Sequence, residues 1–335
     1  MLNYLCKKET IMIEFEDIIL NNPQFLSLTQ ESLNCNSFLF ESNDEVFLSN
    51  FSYCFAKFIM CDGEHKPCGE CLNCKKISLL SHADLNIYPK GHKGILTEDV
   101  KDLIENIYLS PIESDKKVFV INNFSYSTIS AQNKLLKILE EPPKNVYIIL
   151  NVTNINKVLP TILSRCKKLR LNPLSDSEIK QNLASLPAEK QDYVVGVVEG
   201  NLSKAIMYAS SEEFFDIYKN VLSCIVDMKD SKQLAMFSYG LCKFKGENQT
   251  ILEVFESLYR DMLLLKLKRE DLVKNKGAIK ALLSVIDSYN GDSIDLIIRR
   301  LYDIKKQLDF NCNSVLLFDN LLLYILEVKF LCNNK

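Results

Sequence analysis

Proline is absent from residues 188–335 of this 335-residue chain, because all nine prolines lie at or before Pro187. Proline punctuates the strands and turns of α/β proteins, whereas it breaks the interior of a helix. The distribution therefore predicts an α/β N-terminal part followed by an all-helical part. A chain of this length is expected to form two or three domains.

Long hydrophobic runs and an excess of positive charge are missing as well. The most apolar stretch, residues 315–328, is too short to cross a bilayer and contains Asp319, Asn320 and Glu327. The first ten residues lack the apolar core of a signal peptide, so we expect an intracellular protein. The 40 basic residues face 43 acidic ones, for a net charge of −3. This balance argues against a nucleic-acid binder that acts by overall charge, so any contact with DNA must be local or shared with partners.

Glycine is absent from the first 62 residues, and no Gly-Lys pair occurs anywhere in the chain. A phosphate-binding loop needs both, because its backbone N–H groups and its lysine hold the phosphates. The segment that follows the first predicted strand, residues 41–46, is acidic instead. After a later strand, Asn122 and Asn123 stand where a nucleotide-hydrolysing domain places the acids that hold Mg²⁺. We therefore expect no ATP hydrolysis by the chain itself.

Short apolar runs alternate with helical patterns in the N-terminal part. Four runs lack the polar alternation of half-exposed strands, which predicts parallel strands buried on both faces. These runs are residues 37–40, 85–88, 118–121 and 146–150. Helices are predicted over residues 97–109 and 129–140, the second capped by Ser127 or Thr128 and ended by Pro142. The alternation predicts an α/β three-layer domain with a parallel sheet.

The C-terminal part shows helical periodicity. Residues 251–263 carry apolar side chains at the spacing of one helix face. The last predicted helix, residues 314–331, is apolar on most faces and is expected to be buried between neighbours. Domain boundaries are predicted near Pro173 and Ser210.

Four of the twelve cysteines form a cluster with the spacing C-x6-C-x2-C-x2-C. They are Cys61, Cys68, Cys71 and Cys74. Four thiolates at this spacing are typical of a structural Zn²⁺ site, which has no open position for a substrate. Free or redox-active thiols and an iron–sulfur cluster are the alternatives that the ligand type leaves open. His65 lies inside the loop and is expected to be solvated rather than a ligand.

The other eight cysteines are scattered along the chain. Disulfides are not expected in a reducing compartment or in a chain of this size. We predict that these cysteines behave as small buried hydrophobic residues. They are Cys6, Cys35, Cys54, Cys166, Cys224, Cys242, Cys312 and Cys332.

Several segments resemble the delta-prime family of the bacterial DNA polymerase III clamp loader, within the AAA+ class. The segment SAQNKLLKILEEPPKNVYIIL is similar to the family's helix–Pro-Pro–strand core, and LPTILSRC is similar to its Ser-Arg-Cys motif. The four-cysteine insert and SHADLNIYP resemble its zinc module and the following strand, and NCNSVLLFDNLLLYIL resembles its last collar helix. The resemblance covers about residues 12–335, which makes Met12 an alternative start.

The resemblance implies a fold and a function. The implied fold is an AAA+ core with a zinc module over residues 1–172, a helical lid over 173–210 and an all-α collar for oligomerisation over 211–335. The implied function is that of an ATPase-inactive stator in the complex that loads the sliding clamp onto primed DNA. The implied partners are gamma/tau and delta subunits, with transient contacts to the clamp and DNA, in the bacterial cytoplasm.

The resemblance also assigns roles to single residues. Arg165, between Ser164 and Cys166, corresponds to the arginine that reaches the ATP site of the neighbouring gamma/tau subunit. Thr153 corresponds to the first sensor position, and Lys204 stands where the second sensor usually has arginine. A structural Zn²⁺ is the one implied cofactor, since the chain's own ATP site is expected to be empty.

Two other classes of function stay open on the sequence. One is an active AAA+ ATPase with a cryptic nucleotide site, and the other is a zinc-module DNA-binding protein that acts outside a clamp loader. Considered without the resemblance, Arg165 and Lys204 can each be interpreted as an ordinary surface charge.

Overall fold

The computed structural model describes residues 15–30, 35–91, 94–308 and 313–333. Met12, Cys6 and Cys312 lie outside these ranges, as does the side chain of Cys332. The chain divides into two compact units, Met1–Pro173 and Leu174–Lys335. Among the described residues, no helix combines the length and the apolar character that a membrane span requires.

The first unit is built on a parallel sheet. Its strands are β1 (Ser37–Glu41), β2 (Leu85–Tyr88), β3 (Lys117–Ile121), β4 (Val146–Val152) and β5 (Lys167–Arg170). Their order across the five-stranded sheet is β2-β3-β4-β1-β5, and each neighbouring pair is parallel. The carboxyl ends of β1, β3 and β4 therefore lie side by side at one edge of the sheet, where the loops after them can meet.

Seven helices accompany the sheet in the described residues of this unit. They are α1 (Glu16–Leu20), α2 (Pro23–Gln30), α3 (Glu45–Met60), α4 (Leu72–Ser78), α5 (Thr97–Ile107), α6 (Ile129–Glu140) and α7 (Pro160–Leu163). Short 3-10 turns follow β3 at Phe124–Tyr126 and β4 at Ile155–Lys157. The helices cover the apolar strands, so the unit is a helix–sheet–helix arrangement of the predicted α/β class.

The four strands and two helices predicted for this unit are confirmed. Leu39, Phe119 and Ile148 of the strands are fully buried in one core together with Leu135 of α6. The hydroxyl of Thr128 accepts a hydrogen bond from the backbone N–H of Ala131 at 3.2 Å, which caps the start of α6. The periodicity located these elements because their apolar faces are the faces that the core buries.

The edge strand β5 was not anticipated from the sequence. Three of its four residues are Lys or Arg, and their burial alternates between half-buried and exposed. It pairs with β1 alone, so only one of its edges carries hydrogen bonds to the sheet. A short edge strand with charged side chains has no apolar run, and its charges discourage pairing with another chain.

In the part of the second unit that the structure describes, all regular elements are helices. They are α8 (Asp176–Asn182), α9 (Ala188–Val198), α10 (Leu202–Ala209), α11 (Glu212–Asp227), α12 (Leu234–Cys242), α13 (Asn248–Lys266), α14 (Ile279–Leu283), α15 (Gly291–Leu308) and α16 (Ser314–Asn333). Short 3-10 turns lie at Glu270–Leu272, Lys276–Ala278 and Ile286–Ser288. The stripe predicted over residues 251–263 forms the buried face of α13, except that Leu263 is half-buried. The further division into residues 173–210 and 211–335 stays a prediction.

The expectation that the last helix is buried between neighbours holds for one face only, which packs against α12 and α15. Leu321 and Ile325 of α16 are buried, but Leu316 and Phe330 are 59% and 70% exposed. The helix is therefore apolar on two faces, of which one is buried and the other is exposed. The described residues cover only one of these faces.

Candidate functional site

The four clustered cysteines come together at the junction of α3 and α4. Cys61 directly follows the last residue of α3, Cys71 is the N-cap of α4, and Cys74 lies in the first turn of α4. All four sulfur atoms lie within 4.8 Å of one another. His65 is exposed and is not part of this group. The spacing that predicted a metal site thus brings four thiols to one point.

Backbone N–H groups surround the sulfur atoms. Gly63 and Cys68 donate to Cys61 Sγ at 3.3 Å each, and Cys71 and Cys74 donate to Cys68 Sγ and Cys71 Sγ at 3.4 Å each. The pKa of Cys68 is lowered to about 6, chiefly because the hydrogen bond from the backbone N–H of Cys71 stabilises its thiolate. Burial raises the pKa of Cys74. A cation at the centre would favour the thiolate form of all four residues.

Two glycines let the loop between α3 and α4 fold tightly. A Cβ atom at Gly63 would lie 2.7 Å from Cys68 Cβ, so a larger residue would push two of the cysteines apart. Gly69 has a φ of 75°, a left-handed conformation that costs glycine little. The donor set and its tight loop fit a tetrahedral Zn²⁺ with four sulfur ligands and no open position.

A polar network connects the cysteine cluster to β2, and sequence reasoning missed it. Asn73 donates to the carbonyl of Met60 at 3.0 Å and to Asp62 at 2.9 Å. His82 Nε2 lies 3.0 Å from Asn73 Oδ1, while its Nδ1 accepts from the N–H of Asp84 at 3.1 Å. Because Nδ1 accepts a hydrogen bond, His82 is in its neutral form. Burial lowers the pKa of His82, since it disfavours the charged imidazolium. The network stabilises the loop that carries the cysteines.

Asp44 occupies the position where a nucleotide-binding domain of this topology would hold phosphate. It is the N-cap of α3, and its carboxylate accepts from the N–H of Phe47 at 3.0 Å. Its own N–H donates to Ser42 Oγ at 3.1 Å, and both side chains are buried. The N-terminus of a helix attracts anions, and here an anion of the chain itself takes that place.

Neutral side chains form a hydrogen-bonded chain between the middle of α3 and the strands β3 and β4. Ser52 Oγ donates to Asn151 at 2.6 Å, Asn151 donates to Asn122 at 2.7 Å, and Asn122 donates to the hydroxyl of Tyr53 at 2.9 Å. Asn122 follows β3 and Asn151 lies in β4, where a nucleotide-hydrolysing domain would place its acidic and polar catalytic residues. The four side chains satisfy one another and include no carboxylate.

Arg165 lies at the surface between α7 and β5. Its Nη1 donates to the carbonyl of Thr161 at 2.8 Å, and its Nη2 is 3.3 Å from a carboxylate oxygen of Glu140. Ser164 is exposed, and its hydroxyl donates to the same carbonyl at 3.0 Å. Cys166 is buried in the core, and burial raises its pKa to about 12. The Ser-Arg-Cys motif thus places one residue inward and two at the surface.

The two sensor-like residues have different surroundings. Thr153 directly follows β4, is half-buried, and donates its backbone N–H to Ser125 Oγ at 2.9 Å. Lys204, in the second unit, donates to Glu253 at 2.6 Å, and Tyr208 donates to the same carboxylate at 2.8 Å. Lys204 is therefore engaged in an ion pair within its own unit.

The scattered cysteines follow the prediction in part. Cys54, Cys166 and Cys224 are buried, as small hydrophobic residues would be. Cys35 and Cys242 are only half-buried, so the expectation is wrong for these two.

Comparison with known proteins adds an independent line of support. Residues 23–175 match the family described as "DNA polymerase III, delta subunit". DNA polymerase III subunit delta' of Bacillus subtilis is 25% identical over 316 residues, which cover 91% of this chain and 96% of that protein. The delta' subunit of Haemophilus influenzae is 27% identical over 203 residues, which cover 59% of this chain and 62% of that protein.

A second kind of subunit matches a shorter segment. DNA polymerase III subunit tau/gamma of Haemophilus influenzae is 34% identical over 153 residues, which cover 45% of this chain and only 22% of that protein. The match to the Bacillus subtilis protein extends over nearly the full length of both chains. The resemblance inferred from the sequence motifs is thereby confirmed.

Proposed function

We propose that this chain, which resembles the delta-prime subunit of bacterial DNA polymerase III over nearly its whole length, is a clamp-loader subunit that binds no nucleotide. In this role it acts as a stator of the loader and provides Arg165 to the ATP site of a neighbouring subunit. The first unit serves as the AAA+ core with its zinc module. Residues 173–210 serve as the lid and residues 211–335 as the collar.

The single observation that carries the proposal is the position of Asp44. Its carboxylate accepts a hydrogen bond from the start of α3, which is the helix end that would otherwise attract phosphate. A triphosphate at this place would meet a buried negative charge, and no lysine follows a glycine anywhere in the chain. Electrostatic repulsion therefore supports an empty nucleotide site.

The neutral network of Ser52, Tyr53, Asn122 and Asn151 supports the absence of hydrolysis. Asn122 and Asn151 are bonded to each other and to side chains of α3, so their amides are already engaged. An amide does not serve as a general base, and it holds Mg²⁺ less strongly than a carboxylate does. A stator loses nothing through this replacement, whereas an ATPase would lose its chemistry.

The surface position of Arg165 supports its proposed role in trans. Its side chain is 31% exposed at the surface of the first unit. Cys166 is anchored in the core next to it, and Ser164 closes the preceding turn. An arginine finger needs a rigid cationic donor that another subunit's γ-phosphate can reach, and these neighbours restrict the backbone at Arg165.

The remaining site residues have structural roles in this proposal. Cys61, Cys68, Cys71 and Cys74 would hold Zn²⁺, which supplies rigidity to the loop and no reaction step. Thr153 and Lys204 keep their places in the sensor pattern without a bound nucleotide to sense. The ion pair between Lys204 and Glu253 supports this interpretation for the lysine.

The proposal includes partners and a location. Gamma/tau and delta subunits would assemble with this chain, and the complex would contact the sliding clamp and primed DNA transiently. The net charge of −3 fits a subunit that contributes to DNA binding only within a complex. Such a complex works in the bacterial cytoplasm, with the replisome.

A titration and a co-purification test the proposal together. The purified chain, titrated with ATP and with ADP in a calorimeter, should give no micromolar binding. The tagged chain should co-purify with a gamma/tau-type and a delta-type subunit from the same bacterium. A micromolar nucleotide site on the lone chain would favour an active ATPase instead, and tight binding of primed DNA by the lone chain would favour an independent DNA-binding protein.

A further inference from the structure

The guanidinium of Arg165 is held by two partners within its own unit. Nη1 donates to the backbone carbonyl of Thr161, and Nη2 is paired with Glu140, the last residue of α6. The buried Nε has no hydrogen-bond partner among the described residues. Both terminal nitrogens of the side chain are therefore engaged before any neighbouring subunit is present.

The two contacts differ in strength. The bond to Thr161 is 2.8 Å long, within the usual range for a charged donor, whereas the contact with Glu140 is longer, at 3.3 Å. The Glu140 side chain is 59% exposed, so water competes for its carboxylate. The carbonyl of Thr161 therefore sets the orientation of the guanidinium, and Glu140 adds a weak counter-ion.

We propose that Glu140 competes with the nucleotide phosphate of the neighbouring subunit for the guanidinium of Arg165. This inference rests on the proposed role of Arg165 as an arginine finger. A forked guanidinium contact with phosphate uses the same terminal nitrogens that now face Thr161 and Glu140. When the phosphate binds, it takes the place of the Glu140 carboxylate beside the guanidinium, and that carboxylate becomes solvated by water.

The direction of the effect follows from the unequal contacts. Replacing Glu140 by Gln removes the competing charge but keeps an oxygen that can accept a hydrogen bond. Because Thr161 still orients the guanidinium, the finger should become more available without becoming disordered. An exposed ion pair shifts an equilibrium by at most about fivefold, which sets the size of the expected gain.

A reconstituted loader with clamp and primed DNA provides the test. The measured quantity is the Arg165-dependent part of ATP hydrolysis at subsaturating ATP, obtained by subtracting the rate of an Arg165→Ala loader. Glu140→Gln should raise this part by up to about fivefold at low salt, and the gain should shrink as the salt concentration rises. Glu140→Gln combined with Arg165→Ala should equal Arg165→Ala alone.

Glu141→Gln is the matched control, because it removes the same charge one position further along the chain, from an exposed side chain. This control should leave the rate unchanged. If Glu140→Gln does not raise the rate while Arg165→Ala lowers it, Glu140 does not compete and the finger assignment stands. A gain that persists in the double variant, or that Glu141→Gln reproduces, would overturn the inference as a general charge effect. If Arg165→Ala changes nothing, the finger assignment fails and the inference fails with it.

Discussion

Two carboxylates of the chain stand close to groups of the kind that bind phosphate, a helix N-terminus and a guanidinium. Asp44 accepts a hydrogen bond at the start of α3, and Glu140 pairs with the guanidinium of Arg165. The first carboxylate is buried, so its position is permanent, whereas the second is mostly exposed and can be displaced. Under the proposed function, this difference in burial distinguishes a permanently blocked nucleotide site from an arginine finger that can be released.

The cysteine cluster leads to a prediction about metal content. The purified chain should contain one Zn²⁺, because four sulfur atoms lie within 4.8 Å of one another. Cys71→Ser combined with Cys74→Ser should remove the metal, which elemental analysis measures directly. The apolar core of the first unit also stabilises the fold, so a chelator should loosen the loop between α3 and α4 without unfolding the chain.

Cys242→Ser is the control for metal content, since Cys242 is a half-buried thiol outside the cluster. This variant should keep one Zn²⁺. Absence of zinc from the wild-type chain, or full retention of zinc in the double variant, would show that the cluster is not a zinc site.

Lys204 gives a second prediction at a single position. Burial alone would raise the pKa of Glu253, but the charge of Lys204 and the hydrogen bonds from Lys204, Tyr208 and Gln249 lower it overall. Lys204→Met would leave this carboxylate without its counter-ion. The free energy of unfolding in urea should fall by about 1–3 kcal/mol, between the values for exposed and buried pairs.

Lys204→Arg keeps the positive charge and should recover most of the lost stability. The same urea titration compares the two variants. An unchanged free energy of unfolding for Lys204→Met would mean that the ion pair is unimportant for folding, and the sensor role of Lys204 would regain support.

The start of α3 is stabilised by a side chain of the chain itself. The helix keeps a satisfied N-terminus because Asp44 caps it, as Asn, Ser or Thr would. We therefore expect Asp44→Ala to lower the free energy of unfolding by about 0.5–2 kcal/mol, measured by urea titration. Asp44→Asn removes the charge but keeps the cap, so its stability should match the wild type.

Neither variant at Asp44 should bind ATP, because the glycine-rich loop and its lysine are missing as well. A micromolar ATP site in Asp44→Asn would show that this charge alone blocks an otherwise intact nucleotide site. Equal stability of Asp44→Ala and the wild type would show that the cap is dispensable.

Elements whose apolar residues lie in the interior were predictable from the sequence. The strands β1, β3 and β4 are buried on both faces, and the helices α5 and α6 each bury one apolar face. The strand β5 was missed because three of its four side chains are basic. The apolar helix α16 was misjudged because periodicity cannot tell whether a neighbour covers a second apolar face.

The candidate sites were predictable only where their residues are close in sequence. Cys61 to Cys74 lie within 14 positions, so their spacing indicated a metal site. The pairing of Arg165 with Glu140 and that of Asn122 with Asn151 connect residues 25 and 29 positions apart. Such contacts depend on how strands and helices are arranged in space, which no local pattern in the sequence specifies.

Under the proposed function, the first unit combines a nucleotide site that is blocked by its own side chains with a cation, Arg165, at its surface. This combination suits a subunit that regulates hydrolysis elsewhere in a ring. The exposed apolar face of α16 and the net charge of −3 both fit a chain that works within an assembly. Activity is therefore a property to be measured in the assembled loader.

Replacement of Arg165 in a reconstituted loader tests the central claim most directly. Arg165→Ala should leave folding and assembly intact, lower clamp- and DNA-stimulated ATP hydrolysis partially, and lower clamp loading more strongly. Fingers in other systems contribute about 10³–10⁵ in rate, but only one of several ATP sites would lose its finger here. Arg165→Lys should rescue poorly, because an ammonium group lacks the planar fork. Unchanged ATP hydrolysis together with unchanged clamp loading would contradict the account and leave Arg165 as a structural residue.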